Sequence, residues 1–145
     1  MSNVEDFLTQ GEEQEIVEAI RIAEKNTSGE IRVHIEKHTD ENILARAAEM
    51  FHILKMDNTK QENGVLIYIA VEDKTFAIYG GKGIDEEVPK GFWDSTRDVM
   101  QACFKKGAFK QGIIEGVLKA GEELQQHFPW NHNDKNELSD EISKG

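Results

Sequence analysis

The sequence predicts an α/β fold: a three-layer α/β/α sandwich in which helices cover both faces of a short mixed sheet. Residues 64–71 form the longest apolar run of the chain, which is typical of a central strand buried on both sides. A strand pattern and a helical pattern precede this run, and an acidic turn and another strand pattern follow it. This order indicates a βαβ unit with parallel strands, extended by an antiparallel β-hairpin.

The chain begins with the pattern of an amphipathic helix. Thr9 and Glu12 have the spacing of a capping box, in which each side chain accepts a hydrogen bond from the other residue's backbone amide. Apolar residues recur at helical spacing over residues 16–23, and Gly29 marks the stop. We therefore predict a helix that starts near Thr9 and ends shortly before Gly29.

A strand and a second helix come next. Residues 30–36 alternate strictly between apolar and polar side chains, which predicts a strand with one dry face. His34 and His38 share a face of this strand, and we expect both side chains to be solvated. Residues 40–54 return to helical spacing and form the crossover between the parallel strands.

The second half of the chain adds a hairpin strand and two helices. Thr75 to Gly81 returns antiparallel to the apolar strand, Pro89 suits the first turn of a helix, and the last helix covers about residues 110–128. Residues 1–130 then make one domain. Residues 131–145 are mostly Asn, Asp, Lys, Glu and Ser, a composition that predicts a flexible acidic tail.

The charge balance limits the classes of partner that the protein can bind. Lys and Arg total 17 against 28 acidic residues, which gives a net charge of −11. Such a surface repels nucleic acid and anionic lipid and attracts cations. Because Cys103 is the only cysteine and the first twenty residues lack the apolar core of a signal peptide, we expect a soluble, cytoplasmic monomer without membrane insertion.

A candidate site lies at the end of the sheet where the two parallel strands begin. The loops that enter these strands share that edge, and the antiparallel third strand ends there. Carboxylate oxygens with few basic neighbours are ligands that Ca²⁺ or Mg²⁺ prefers. The predicted metal ligands are Asp57, Glu62, Asp85, Glu86 and Glu87, supported by Ser28 and Asn63 behind them.

The same edge offers a candidate anion site. Gly81, Lys82 and Gly83 precede a helix start, where free backbone amides favour anions. Two simpler alternatives stay open. The acids from Asp85 onward stabilise a helix start through the helix dipole, and the glycines serve turn geometry.

Familiar catalytic signatures are missing from the chain. It has no G-x-S-x-G, no H-E-x-x-H and no paired C-x-x-C motif. Cys103 stands in an apolar helical setting, which indicates an inert thiol. The sequence by itself therefore names no catalytic residue.

Three segments carry a resemblance to a known family. Thr27 to His34, Asn63 to Tyr68, and Phe76 to Ile84 followed by Phe92-Trp93 resemble the TPM domain family, over about residues 8–129. The family is named after a thylakoid-lumen phosphatase-like protein, a photosystem II repair protein and a modulator of acetylcholine receptors. The resemblance implies an α/β/α sandwich, binding of Ca²⁺ or Mg²⁺, and acid phosphatase activity in some members.

The resemblance also singles out two acids. Asp85 follows the Gly-x-Gly-Ile segment, where relatives often place a polar residue, and Asp73 occupies the hairpin turn, where relatives often have Asp-Arg. Lys74 replaces that arginine here. Asp73 lies at the opposite sheet edge in the predicted topology, so we do not expect it to join Asp85.

Three functions are compatible with these features. The first is a divalent-cation-binding domain that modulates or docks onto another protein. The second is a metal-assisted acid phosphatase acting on phosphomonoesters. The third is a purely structural or interaction domain.

Overall fold

A computed structural model describes residues 8–58, 62–129 and 142–144 of the chain. The helices are α1 (Gln10–Glu24), α2 (Ile43–Ile53), α3 (Lys82–Glu87), α4 (Asp94–Lys105) and α5 (Phe109–Gln125), and a 3-10 turn covers Met56–Asn58. The strands are β1 (Glu30–Glu36), β2 (Gly64–Ala70), β3 (Thr75–Gly80) and β4 (Ser143–Lys144). None of the helices in these described ranges is both long and apolar enough to cross a membrane.

The described strands form one mixed sheet with the order β3-β2-β1-β4. β1 and β2 run parallel, with Glu30 opposite Gly64, and β3 returns antiparallel to β2, with Gly80 opposite Val65. The predicted βαβ unit and hairpin are therefore confirmed. The predicted start of α1 is confirmed as well, because the capping box between Thr9 and Glu12 is formed in both directions.

Helices lie on both faces of the sheet, which confirms the sandwich. One core joins aliphatic residues of the sheet, such as Val33 and Ile67, to α1 and α5. A second core joins Leu66 and Tyr68 to Phe51 and other residues of α2. Every residue of β2 is buried, because alternate side chains enter alternate cores.

The segment after the hairpin differs from the prediction. The helix expected near Pro89 begins at Asp94, and the separate short helix α3 precedes it. Pro89 instead opens a turn, in which its carbonyl accepts a hydrogen bond from the Phe92 amide. Gly91 then adopts a positive φ of 82°, which interrupts helical geometry before α4.

The end of the chain adds a strand that composition did not reveal. Ser143 and Lys144 pair in parallel with His34 and Ile35 of β1. Lys144 Nζ lies 2.5 Å from Glu13 Oε1, and Ile142 packs against the core beneath α1. Ser143 and Lys144 thus form an edge strand of the sheet within the predicted tail, whereas residues 131–141 lie outside the described residues.

The prediction of one dry face on β1 was wrong, because both faces are buried. His34 is 1% exposed and Glu36 is 7% exposed, although both were assigned to the wetter face. Helix α2 covers this face, and Arg46 of α2 donates to Glu36 from Nε at 3.1 Å and from Nη2 at 2.5 Å. The Tyr68 hydroxyl donates to the same carboxylate, so α2 is joined to β1 and β2 at one point.

Replacement of Arg46 tests this junction. Arg46→Met should lower the free energy of unfolding by about 3 kcal/mol, because it leaves the Glu36 carboxylate buried without its main partner. We place the loss at the lower end for buried pairs because the Arg46 side chain is 24% exposed. Urea unfolding at pH 7 measures the loss.

Arg97 provides the matched control, since it pairs with Asp94 on the surface of α4 and is half exposed. Arg97→Met should change the free energy of unfolding by less than about 1 kcal/mol. Similar losses in the two variants would contradict the role assigned to Arg46.

Candidate functional site

The amino edge of the sheet brings three connections together, as predicted. The Glu30 amide donates to the Asn63 carbonyl at 3.3 Å, which joins the entrances of β1 and β2. The Gly83 amide, just after β3, donates to the Glu62 carbonyl at 2.9 Å. The loops before β1, before β2 and after β3 therefore meet at one edge.

Ser28 and Asn63 tie two of these loops together. Asn63 is buried, and its Nδ2 donates to Ser28 Oγ at 3.2 Å. Thr27 Oγ1 accepts from the Gly29 amide at 3.0 Å and closes the turn before β1. The supporting role predicted for Ser28 and Asn63 behind a bound ion stays a prediction.

The predicted anion cradle is not formed by the glycine amides. The Gly81 amide donates to the Gly64 carbonyl at 2.8 Å, and the Gly83 amide is engaged by Glu62. A Cβ on Gly81 would lie 2.6 Å from the Glu62 carbonyl oxygen, so close backbone approach requires this glycine. Of the three predicted anion-binding residues, Lys82 contributes a charged side chain, and an anion bound to it stays a prediction.

The predicted acids do not converge on one point. Asp57, Glu62 and Lys82 line a cleft of about 210 Å³ on the α2 side of the sheet, together with Tyr79. Asp85 lines a separate cleft of about 400 Å³ next to α4.

The two clefts lie on opposite faces because consecutive residues of β3 point in opposite directions. Tyr79 borders the first cleft, and Ile78 borders the second. Glu86 and Glu87 are exposed on α3 and border neither cleft. Within the described ranges, no group of three or more His, Cys, Asp or Glu side chains is arranged to hold a metal ion. The five-acid site is thus corrected to two acids in one cleft.

Electrostatic partners distinguish the acids further. His52 Nδ1 lies 2.7 Å from Asp57 Oδ2, and this hydrogen bond holds the pKa of Asp57 below its usual range. Glu62 has a positive φ of 50°, which turns the chain into β2. Burial raises the pKa of the Asp85 carboxyl. Asp57 therefore stays negatively charged to a lower pH than Asp85 does.

A further cleft of about 450 Å³ opens at the opposite, carboxyl edge of the parallel strands. His38 lies between two acids there: its Nδ1 is 2.6 Å from Asp73 Oδ1 and its Nε2 is 2.7 Å from Asp40 Oδ1. Hydrogen bonds to Asp73 and then Asp40 raise the pKa of His38. Asp73 also accepts from the Thr39 amide at 3.0 Å, so the hairpin turn is fastened to the exit of β1.

A buried polar network lies beneath this cleft, and sequence patterning missed it. The His34 ring stacks on Tyr68 with centroids 5.6 Å apart, and its Nδ1 lies 2.9 Å from Ser143 Oγ. His34 Nε2 lies 3.1 Å from Glu36 Oε1, yet burial lowers the pKa of His34. The available signal was the charged residue Glu36 at the end of a strand that a helix had to cover.

Glu36 is held as a carboxylate inside the protein. Burial opposes its ionisation, but hydrogen bonds from Arg46, Tyr68 and His34 outweigh burial and lower the pKa of Glu36 to about 2. Burial and the same carboxylate raise the pKa of Tyr68. The Glu36 carboxylate is consequently a hydrogen-bonded structural group, and the cleft above it is bordered by Glu36 and Arg46.

Acid unfolding tests the state of Glu36. Because the pKa in the folded protein is below the ordinary value of 4.5, this carboxylate stabilises the fold above pH 4.5, and the contribution disappears as the pH falls towards 2. When the pH falls from 5 to 2, the unfolding free energy should therefore drop by about 3 kcal/mol less in Glu36→Gln than in the unmodified chain. Denaturant titrations across this range measure it.

Glu18 is the control acid, because its pair with Arg21 is about half exposed. Glu18→Gln should keep the acid dependence of the unmodified chain. If Glu36→Gln also kept it, Glu36 would not be held ionised by the fold.

Comparisons with known proteins agree on one family. The family model for the TPM domain matches residues 1–123. The NMR structure of BA42 protein from the psychrophilic bacterium Bizionia argentinensis is similar to this chain with a TM-score of 0.93 and 59% identity, and 100% of each chain is covered. A search of curated proteins found no match.

Two more distant structures share the fold. The N-terminal domain of a protein from P. gingivalis has a TM-score of 0.70 and 21% identity, covering 87% of this chain and 83% of its own. The N-terminal domain of cg2496 protein from Corynebacterium glutamicum has a TM-score of 0.63 and 10% identity, covering 95% of this chain and 80% of its own. With the sandwich and the family model in agreement, the chain belongs to the TPM domain family.

Proposed function

We propose that this TPM domain binds a divalent cation, Ca²⁺ or Mg²⁺, in the amino-edge cleft and that the bound ion changes how this edge docks onto another protein. The supporting observation is that Asp57 and Glu62 border one cleft of about 210 Å³, at the meeting point of three loops. Hard divalent cations favour carboxylate and carbonyl oxygens. Both oxygen types are present where the loops meet.

The neighbours of Asp57 set the expected affinity. An incoming ion has to replace His52, which lies 2.7 Å from Asp57, and it meets the positive charge of Lys82 in the same cleft. These costs predict weak binding, with a dissociation constant of about 10⁻⁴ to 10⁻³ M, as in modules without a dedicated ion loop. The net charge of −11 favours accumulation of cations near the surface.

The acids of α3 take a different part in this proposal. Asp85 faces the second cleft, while Glu86 and Glu87 are exposed beside the amino edge. These three carboxylates add to the negative field around the cleft without reaching the ion. Neutralising one of them should weaken cation binding far less than neutralising Asp57.

An exposed apolar side chain supports the docking role. Ile53 is 59% exposed and directly follows His52, which borders the cleft. Exchange of the Asp57–His52 pair for an Asp57–ion pair would change the charge beside this apolar surface. A protein partner that contacts Ile53 would therefore bind differently with and without the ion.

A metal-assisted phosphatase is the second candidate, and one feature favours it. Lys82 borders the same cleft as Asp57 and Glu62, so a bound ion and a lysine could both contact a phosphoryl group there. Hydrolysis of p-nitrophenyl phosphate that requires the ion and is lost in Lys82→Gln would support this candidate. Equal rates in the variant and the unmodified chain would indicate a contaminating phosphatase.

Cation titration tests the first proposal. Addition of Ca²⁺ or Mg²⁺ to isotopically labelled protein should shift the amide signals of Met56–Asn58, Glu62 and Gly81 to Gly83, with saturation in the millimolar range. Asp57→Asn should weaken the response at least about tenfold, because it removes the anionic ligand and costs more than about 1.4 kcal/mol of binding.

Asp85→Asn is the matched control, since it removes an acid of the same edge from outside the cleft. Its titration should resemble that of the unmodified chain. Shifts confined to the region of Asp40 and Asp73, or none at 10 mM ion (roughly ten times the weakest expected dissociation constant), would leave the structural or interaction role as the remaining explanation.

A further inference from the structure

An apolar cleft lies between the β2–β3 hairpin and the turn that joins α4 to α5, at the carboxyl edge of the parallel strands but on the face of the sheet that packs against α1 and α5. Its volume is about 500 Å³, within the range of about 300–1,000 Å³ that small-molecule sites occupy. Ile69 and Phe76 border it from the sheet, and Phe104 and Phe109 border it from the helices. The cleft is thus lined mainly by aliphatic and aromatic groups.

The walls of this cleft are held in place by ring packing. Phe104 contacts Phe76 edge to face with ring centroids 5.2 Å apart, and it lies 5.8 Å from the Phe109 ring. Phe109 remains 40% exposed at the mouth. Burying part of an aromatic ring under an apolar ligand is favourable, because it removes apolar surface from water.

A glycine turn shapes the helical side of the cleft. Gly107 has a positive φ of 77°, which lets the chain reverse between α4 and α5. The amides of Gly107 and Ala108 donate to the carbonyls of Phe104 and Cys103, both at 3.0 Å, and close the turn. This reversal places Phe109 next to Phe104.

Two cations stand at the border of this apolar cleft in a chain of net charge −11. Lys74 comes from the hairpin turn and Lys105 from the last turn of α4. Neither lysine forms a salt bridge with another residue in the described part of the chain. Lys74 has a positive φ of 55°, a backbone conformation that is strained for residues other than glycine.

We propose that this cleft binds an amphipathic monocarboxylate, a medium-chain fatty acid, with its alkyl chain against the phenylalanines and its carboxylate between Lys74 and Lys105. Apolar walls and a pair of cations complement the two ends of such a molecule. A volume of about 500 Å³ suits a single alkyl chain better than an extended peptide. The site shares no residue with the amino-edge cleft, so a test of decanoate binding is independent of cation binding.

Titration with decanoate below its micellar concentration tests the proposal, with EDTA present to remove divalent ions. Amide signals of residues 72–76 and 104–109 should shift in a saturable way. The double variant Lys74→Gln/Lys105→Gln should weaken decanoate binding about threefold to twentyfold, as expected for two partly exposed ion pairs. Both substitutions are on the surface and should leave the protein folded.

Two controls separate the carboxylate from general hydrophobic binding. Lys106→Gln removes a neighbouring lysine that does not border the cleft, and it should leave decanoate affinity unchanged. Decanol, which lacks the charge, should bind more weakly than decanoate. Its affinity should be the same for the unmodified chain and for the double variant.

Three results would overturn the proposal. Decanoate and decanol could bind equally well, or decanoate could shift signals at other surfaces instead of the two turns. Alternatively, the protein could fail to bind monomeric decanoate but bind vesicles that contain anionic phospholipid, in which case the lysines would contact a membrane surface.

Discussion

The buried carboxylate of Glu36 is the interaction on which the layered arrangement depends. It ends β1, accepts from the Tyr68 hydroxyl of β2 and from Arg46 of α2, and so joins two strands and the crossover helix α2 between them. A charge in this position is costly unless all its donors are present. The junction therefore specifies how α2 lies on the sheet, and with it the shape of both edges.

Both edges inherit their geometry from this pair of parallel strands. At the carboxyl edge, His38 and Asp73 fasten the hairpin turn to the exit of β1. At the amino edge, Asn63 and Ser28 join the two strand entrances, and Gly81 passes close to the Glu62 carbonyl. The amino-edge cleft is consequently framed by contacts among the three loops.

Much of the fold could be predicted because its signals are local. The apolar run of β2, the capping box of α1 and the hairpin after Ala70 are each visible within a few residues. The burial of His34 was not predictable in this way, because strand alternation does not reveal which helix covers the polar face. Pairing of Ser143 with His34 joins residues 109 positions apart, and a two-residue strand leaves almost no pattern.

Only the position of the candidate site, and not its set of side chains, could be predicted from the sequence. Topology places three loops at one edge, but the direction of each side chain depends on the local turn. The short helix α3 rotates Asp85 towards α4, whereas Asp57 and Glu62 face α2. Strand order predicts that the three loops meet at one edge. The directions of the acidic side chains depend on the short helix α3, which was not predicted from the sequence.

Direct titration of the Glu36 side-chain carboxyl by carbon-detected NMR is the most direct test of this account. If the Arg46 and Tyr68 donors hold the carboxylate as described, its signal should titrate with a pKa of about 2. A titration near the ordinary value of 4.5 would show a solvated glutamate and contradict the junction between α2 and the sheet.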